Sequence, residues 1–163
     1  DRIHPLACDF ADLPMEPGSI DLLWSEGAAY NLTFVGALER WRPLLTPNGV
    51  AVISELSWFS GDVPDEARRY WKEAYPAIGD EAENTARARA AGFDVLNTRR
   101  LPAQAWWDNY YNPMLKRIAA MDKPDSTMHA VVAEMQTEID LFRRYSRYYG
   151  YTFYVLTASP ATA

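Results

Sequence analysis

Ser19 to Trp24 (SIDLLW) is the segment that most restricts the fold. It is a nearly unbroken apolar run, set off in front by the turn residues Pro17-Gly18. A bounded run of this kind predicts a strand buried on both faces, as in a parallel sheet with helices on either side. The rest of the chain alternates in the same sense. Ile3–Cys8 reads as an opening strand, and Val50–Leu56 and Phe93–Leu101 as further strands. Tyr151–Ala158 (YTFYVLTA) is a closing one, rich in β-formers.

Helices fill the intervals. Thr33 caps a helix whose Phe34, Ala37, Leu38, Trp41 and Leu45 keep helical spacing, with Pro43 forcing a kink or an early stop. Pro47-Asn48-Gly49 reads as a turn. Pro64 opens the next helix, with Asp65 and Glu66 in its first turn. Asp80 and Glu83 form a capping box for another, which stops at Gly92. A short helix is expected over Pro102–Tyr111, a second from Asn112 to Met121, and a long one from Asp125 or Ser126 to Tyr149. The inner stripe of the long helix is Met128, Val131, Val132, Met135, Ile139, Phe142 and Tyr145. The alternation predicts an α/β sheet with its first three strands parallel. The last strand is expected to run antiparallel at an edge.

Composition removes whole classes of function. Six Trp, ten Tyr and six Phe in 163 residues supply ample buriable area for one ordered domain. A net charge of −6 argues against a partner held by phosphate neutralisation, so no nucleic acid is expected. The paired Arg99-Arg100 and Arg143-Arg144 read as solvated. One cysteine, Cys8, excludes an internal disulfide framework and suits a cytoplasmic protein. With two histidines besides, no metal site is expected. No apolar run approaches the roughly 18 residues of a membrane span. The opening strand stands at the very start of the chain, so the sequence is expected to be the C-terminal portion of a larger polypeptide.

Ligands in open α/β sheets bind outside the C-terminal ends of strands. Two such ends are polar here: Asp9-Phe10-Ala11-Asp12 and Ser25-Glu26-Gly27-Ala28-Ala29-Tyr30-Asn31. An acid followed by an aromatic can accept from an adenine amino group and cover its ring, and a small-residue loop admits a ligand to the backbone. The same acids also read as loop-solvating helix caps. Glu55, at the end of a strand, is the preferred general base, with His129 the other candidate. Trp58, Trp71, Tyr75, Trp106, Trp107, Tyr110 and Tyr111 either line an apolar acceptor pocket or pack the core. Trp106 and Trp107 are adjacent and cannot both face inward.

Asp9–Leu32 (DFADLPMEPGSIDLLWSEGAAYNL) and Arg42–Trp58 (RPLLTPNGVAVISELSW) resemble the middle of class I S-adenosylmethionine-dependent methyltransferases. The resemblance implies a Rossmann-like class I methyltransferase sheet with flanking helices, its N-terminal strands missing, residues 1–163 being a partial domain. It implies that Asp9 bonds the adenine amino group and the Phe10 N–H a ring nitrogen. Ser25 and Glu26 would hold the methionine end, and Tyr30 would wall the methyl-transfer site. Trp58, Trp106, Tyr110 and Tyr111 would then line the acceptor pocket. The cofactor implied is S-adenosylmethionine and the partner a small-molecule methyl acceptor. The family's glycine-rich loop and its ribose-binding acid are not in this sequence, whose eight Gly are scattered. The parent protein is therefore expected to transfer methyl groups and the chain alone to be inactive. A homo-oligomer, or the missing N-terminal segment, is expected to complete the sheet. The alternatives are a non-enzymatic dimerisation module of the same architecture and another nucleotide-binding α/β protein.

Overall fold

The computed structural model describes residues 3–122 and 125–159. Its strands are β1 (Ile20–Ser25), β2 (Leu45–Trp58), β3 (Gly79–Asp80), β4 (Phe93–Arg100) and β5 (Tyr149–Ala158). They form one sheet in the order β1-β2-β5-β4, with the two-residue β3 beside the end of β2. β1 and β3 run parallel to β2, and β5 runs antiparallel to both its neighbours. The helices are α1 (Phe34–Trp41), α2 (Asp65–Ala74), α3 (Glu81–Ala90), α4 (Ala103–Trp106), α5 (Asn112–Ala119) and α6 (Ser126–Tyr145).

Strand alternation divides the core into two clusters. On one face of the sheet Ala51 and Ile53 of β2 and Tyr154 and Leu156 of β5 pack on Phe34, Ala37, Leu38 and Trp41 of α1 and Ala88 of α3. In a second cluster Leu56 and Tyr149 pack on Ala67 of α2, on Trp106 and Tyr111, and on Ile139, Leu141 and Phe142 of α6. Side chains of this size each contribute about 1.5–3 kcal/mol when buried.

Local signals place several ends. Asp80 accepts from the Glu83 N–H at 2.7 Å while Glu83 accepts from the Asp80 N–H at 2.8 Å, completing the capping box. Gly92, at φ 82°, ends α3 in the left-handed region. Thr33 caps α1, accepting from the Gly36 N–H at 3.2 Å.

Other expectations fail for identifiable reasons. Ile3–Cys8 is no strand; the segment lies exposed with no ladder to join, and β-propensity alone does not hold a strand. Leu45 belongs to β2, because Pro43 ends the helical spacing in a 3₁₀ turn over Arg42–Leu44. Pro47-Asn48-Gly49 lies within β2, where the register with β1 shifts between Ile20 and Leu22. β1 is not covered on both faces: Leu23 is buried in the cluster with α1, whereas Leu22 and Trp24, on the opposite face, are 59% and 61% exposed because that cluster packs only on the Leu23 side. β5 is antiparallel as expected but lies inside the sheet, between β2 and β4.

The helical C-terminal half departs as well. Trp107–Tyr111 forms a π turn that runs on into α5, with the Asn112 N–H reaching back five residues to the Trp107 carbonyl. Pro113 follows and has no N–H to continue the ordinary ladder. α6 ends at Tyr145, so Gly150 sits in β5 rather than stopping a helix. Met128 and Val131 of the expected inner stripe are exposed, because only the second half of α6 packs on the core.

Candidate functional site

A cavity of about 670 Å³ opens beside the C-terminal ends of β1 and β2, within the size range of small-molecule sites. Glu26, Gly27 and Tyr30 form one wall, from the loop after β1. Tyr70, Trp71 and Ala74 of α2, with Tyr75 just beyond, form another. Ala105, Trp106, Asn109 and Tyr110 face them, Glu134 and Glu138 of α6 close a side, and Leu56, Leu101 and Tyr151 complete the lining.

The loop wall is fixed by local chemistry. Gly27 adopts φ 62°, a conformation that favours glycine. Its N–H donates to Ser54 Oγ at 2.8 Å, tying the loop to β2. Ser25, buried at the end of β1, has a hydroxyl without a partner among the described residues. Tyr30 is half-exposed and meets Tyr75 edge to face at 6.2 Å.

The aromatic wall is a continuous stack. Trp106 is buried against Tyr151 at 4.8 Å, Phe142 at 4.9 Å and Tyr111 at 5.6 Å. Trp107 is half-buried and packs on the same Tyr111 and Phe142, at 5.3 and 6.1 Å, with the Arg143 guanidinium over its ring at 5.3 Å, so both tryptophans reach the cluster. Tyr111 is fully buried and donates its hydroxyl to Glu138 Oε1 at 2.8 Å. Burial raises the Glu138 carboxyl above the usual range; the Tyr111 hydrogen bond opposes this and the Glu134 charge adds to it. Tyr70 is pushed up to about 12, mainly by burial and then by the charges of Glu138 and Glu134.

Glu55 lies behind this surface. It is fully buried, and its Oε1 accepts the Tyr75 hydroxyl at 2.7 Å. Its Oε2 has no partner among the described residues. Desolvation raises Glu55 to about 7, against the opposing Tyr75 hydrogen bond and the Arg87 charge. The hydroxyl of Tyr75 is raised in turn by burial and by Glu55. Tyr75 thus touches both the cavity, as part of its lining, and Glu55, through its hydroxyl.

The structure brings Glu26, Tyr30, Trp106 and Tyr110 together around the cavity. Ser25 stands directly before that loop. Trp58 and Tyr111 do not line it. Trp58 packs edge to face on Tyr149 at 5.9 Å and borders a separate hollow, and Tyr111 is withdrawn beneath Trp106. Asp9 and Phe10 also stand apart from it. Asp9 Oδ1 accepts from the Ala11 N–H at 2.8 Å, and the Phe10 carbonyl accepts from Trp41 Nε1 at 2.9 Å. Trp41 closes the C-terminal end of α1, whereas Tyr30 precedes its N-terminal end. His129 is exposed in the first turn of α6, its Nδ1 2.9 Å from the Asp125 carbonyl oxygen.

Tyr70, Asn109, Glu134, Glu138 and Tyr151 line the cavity without having stood out in the sequence. One signal was present: Glu134 and Glu138 are four residues apart, hence on one face of a helix.

Solved structures share this architecture. A SAM-dependent methyltransferase from Geobacter sulfurreducens, in complex with S-adenosyl-L-homocysteine, matches with a TM-score of 0.70 at 19% identity, over 88% of this chain and 60% of that one. YjhP from E. coli matches with a TM-score of 0.73 at 20% identity, over 93% and 63%. The [4+2]-cyclase SpnF matches with a TM-score of 0.68 at 18% identity, over 94% and 56%. The fold is the Rossmann-like one of class I methyltransferases, and the chain spans about three fifths of the length of these structures. No family model and no curated protein matches the sequence.

Proposed function

We propose that the chain is the C-terminal part of an S-adenosylmethionine-dependent methyltransferase whose parent protein modifies a small-molecule acceptor. The observation that carries this reading is the position of the cavity, at the carboxyl ends of two parallel strands, where open α/β sheets bind ligands. The shared fold supports it, as does S-adenosyl-L-homocysteine in the Geobacter structure.

The residues of this mouth fit the methionine end of the cofactor. Ser25 offers a buried hydroxyl with no partner among the described residues, Glu26 a carboxylate for an ammonium, and Tyr30 a ring for a cationic sulfur. Asp9 and the Phe10 N–H are proposed for the adenine, on the turn that Trp41 holds. S-adenosylmethionine supplies, when bound, a methyl group on a positively charged sulfur. The chain's own groups position the acceptor among Trp106, Tyr110 and Tyr151, keep water out, and take up a proton. Glu55 is the proposed base, reached through Tyr75: the hydroxyl passes its proton to Glu55 Oε1 as it takes up the one the acceptor loses. No glycine-rich turn is present in the sequence, so the isolated chain is proposed to be inactive.

One observation favours a second reading, a non-enzymatic association module. Among the described residues β1 pairs on one edge only, with β2, and it carries exposed Leu22 and Trp24. Calorimetric titration of the chain and of its intact parent with S-adenosylhomocysteine separates the two. The methyltransferase reading expects tight binding by the parent and weak binding by the chain. A parent that does not bind leaves the association module.

A further inference from the structure

We propose that the cavity is a binding site for a small organic ammonium compound, seated between the carboxylates of α6 and the rings of α2 and the π turn. Naming this compound as the methyl acceptor rests on the reading above; the binding itself does not.

The lining is anionic and aromatic together. Glu134 and Glu138 face it from the α6 side, away from the Glu26 loop, and no Lys, Arg or His is among the lining residues. Tyr70 lies within reach of the charges of both acids and Tyr110 of that of Glu138, and Trp71 lines the same cavity. Two acids at i and i+4 repel each other, and burial at Glu138 adds to the cost of its charge. The three ion pairs among the described residues, Arg100–Glu81, Arg143–Asp140 and Arg144–Glu66, all lie outside the cavity. The α6 pair thus meets a cavity with no cation of the protein in it.

A cation entering there satisfies both parts of the lining. Its charge offsets the repulsion between the acids, and its alkyl groups lie against π faces that attract positive charge. An uncharged molecule of the same shape gains only the apolar contact. An anion meets the two carboxylates of α6. The volume of about 670 Å³ admits a compound of drug size, and the mouth faces solvent on the Tyr30 side.

The test uses the whole 163-residue chain. Choline and its uncharged isostere 3,3-dimethyl-1-butanol are titrated by calorimetry, with and without saturating S-adenosylhomocysteine. Choline is expected to bind roughly tenfold tighter than the alcohol in both conditions. The Glu134→Gln/Glu138→Gln double variant, checked for folding by circular dichroism, is expected to lose most of that preference. Equal affinity for the two probes in the unaltered chain overturns the proposal, whether or not the variant folds. Displacement of choline by S-adenosylhomocysteine also overturns it, since the acids then serve the cofactor. Choline binding where neither chain nor parent binds S-adenosylhomocysteine leaves the ammonium site standing and the methyl-donor reading fallen. The reverse result does the opposite.

Discussion

The Tyr75 hydroxyl donates to Glu55 Oε1 at 2.7 Å, and nothing among the described residues partners the other Glu55 oxygen. The carboxyl is raised to about 7, chiefly by burial. An acid raised in the folded state favours the fold while protonated. Its contribution is therefore full below the unfolded value near 4.5 and is lost as pH rises through about 7. At 1.36 kcal/mol per pK unit the loss is on the order of 3 kcal/mol. Urea unfolding of the unaltered chain is expected to weaken between pH 5 and pH 8 on this account, and Glu55→Gln to flatten that slope. An unchanged slope in Glu55→Gln would show that the carboxyl is ordinary.

Tyr75→Phe isolates the other partner. It removes the hydroxyl from Glu55 and leaves both carboxylate oxygens buried without a donor. The cost is expected to be about 1–3 kcal/mol at pH 8, where the group is charged. It is expected to be smaller at pH 5, where the protonated form needs less solvation. Chemical denaturation at the two pH values checks this. Equal costs at both would mean that the hydroxyl contributes packing alone.

Gly49 makes a sharper packing prediction. A Cβ there would meet the Ile20 carbonyl oxygen at 2.7 Å and the Thr46 backbone N and O at 3.0 Å. Those are backbone atoms of the β1–β2 junction and cannot swing aside as a side chain can. Gly49→Ala is expected to cost about 2 kcal/mol or more, in the range of overpacked cores. At Gly18 a Cβ would meet nothing within 4 Å, so Gly18→Ala pays only for its φ of 68°. Thermal melts of the two variants should rank Gly49→Ala as the less stable.

What the sequence made legible was local. The Asp80–Glu83 capping box, the Gly92 stop and the Thr33 cap each depend on three or four consecutive residues, and each stands where it was expected. The α/β class followed from alternation, since buried runs and helical spacings are read segment by segment. What failed was relational. Ile3–Cys8 has strand composition but no strand beside it. SIDLLW reads as doubly buried, yet its Leu22 and Trp24 face lies exposed. YTFYVLTA gives no sign that it enters between β2 and β4. The site divides in the same way. Glu26 and Tyr30 were legible as a loop at a strand end, whereas Glu134 and Glu138 reach the cavity only through the docking of α6. Glu55 stood at the right strand end, but nothing local showed that Tyr75 would stand in front of it.

The adenine contact is open to a direct check. Asp9 Oδ1 already accepts from the Ala11 N–H within an exposed turn, so losing its carboxylate should leave the fold of the chain nearly unchanged. In the parent protein, a lost hydrogen bond to an adenine amino group corresponds to about tenfold weaker binding. Asp9→Ala is expected to bring that loss in S-adenosylhomocysteine affinity with an unshifted melting temperature. Undiminished affinity would remove Asp9 from the site and leave the loop after β1 to carry it.

Leu22 and Trp24 leave one face of β1 bare at an edge whose N–H and C=O groups meet no ladder among the described residues. Trp24 is partly held, by Phe153 at 6.0 Å and by Glu26, whose Oε2 accepts from its Nε1 at 3.3 Å, so Leu22 is the cleaner site to change. An edge of this kind templates association, and a lysine on it opposes association by charge and by its need for water. The chain is expected to gain mass with concentration in sedimentation equilibrium. Leu22→Lys is expected to hold it as a monomer with little change in stability, because the side chain is more than half exposed already. A chain that stays monomeric without the substitution would mean that the 3–19 segment, or a motion of β1 itself, shields the edge. The association reading would then lose its one supporting observation.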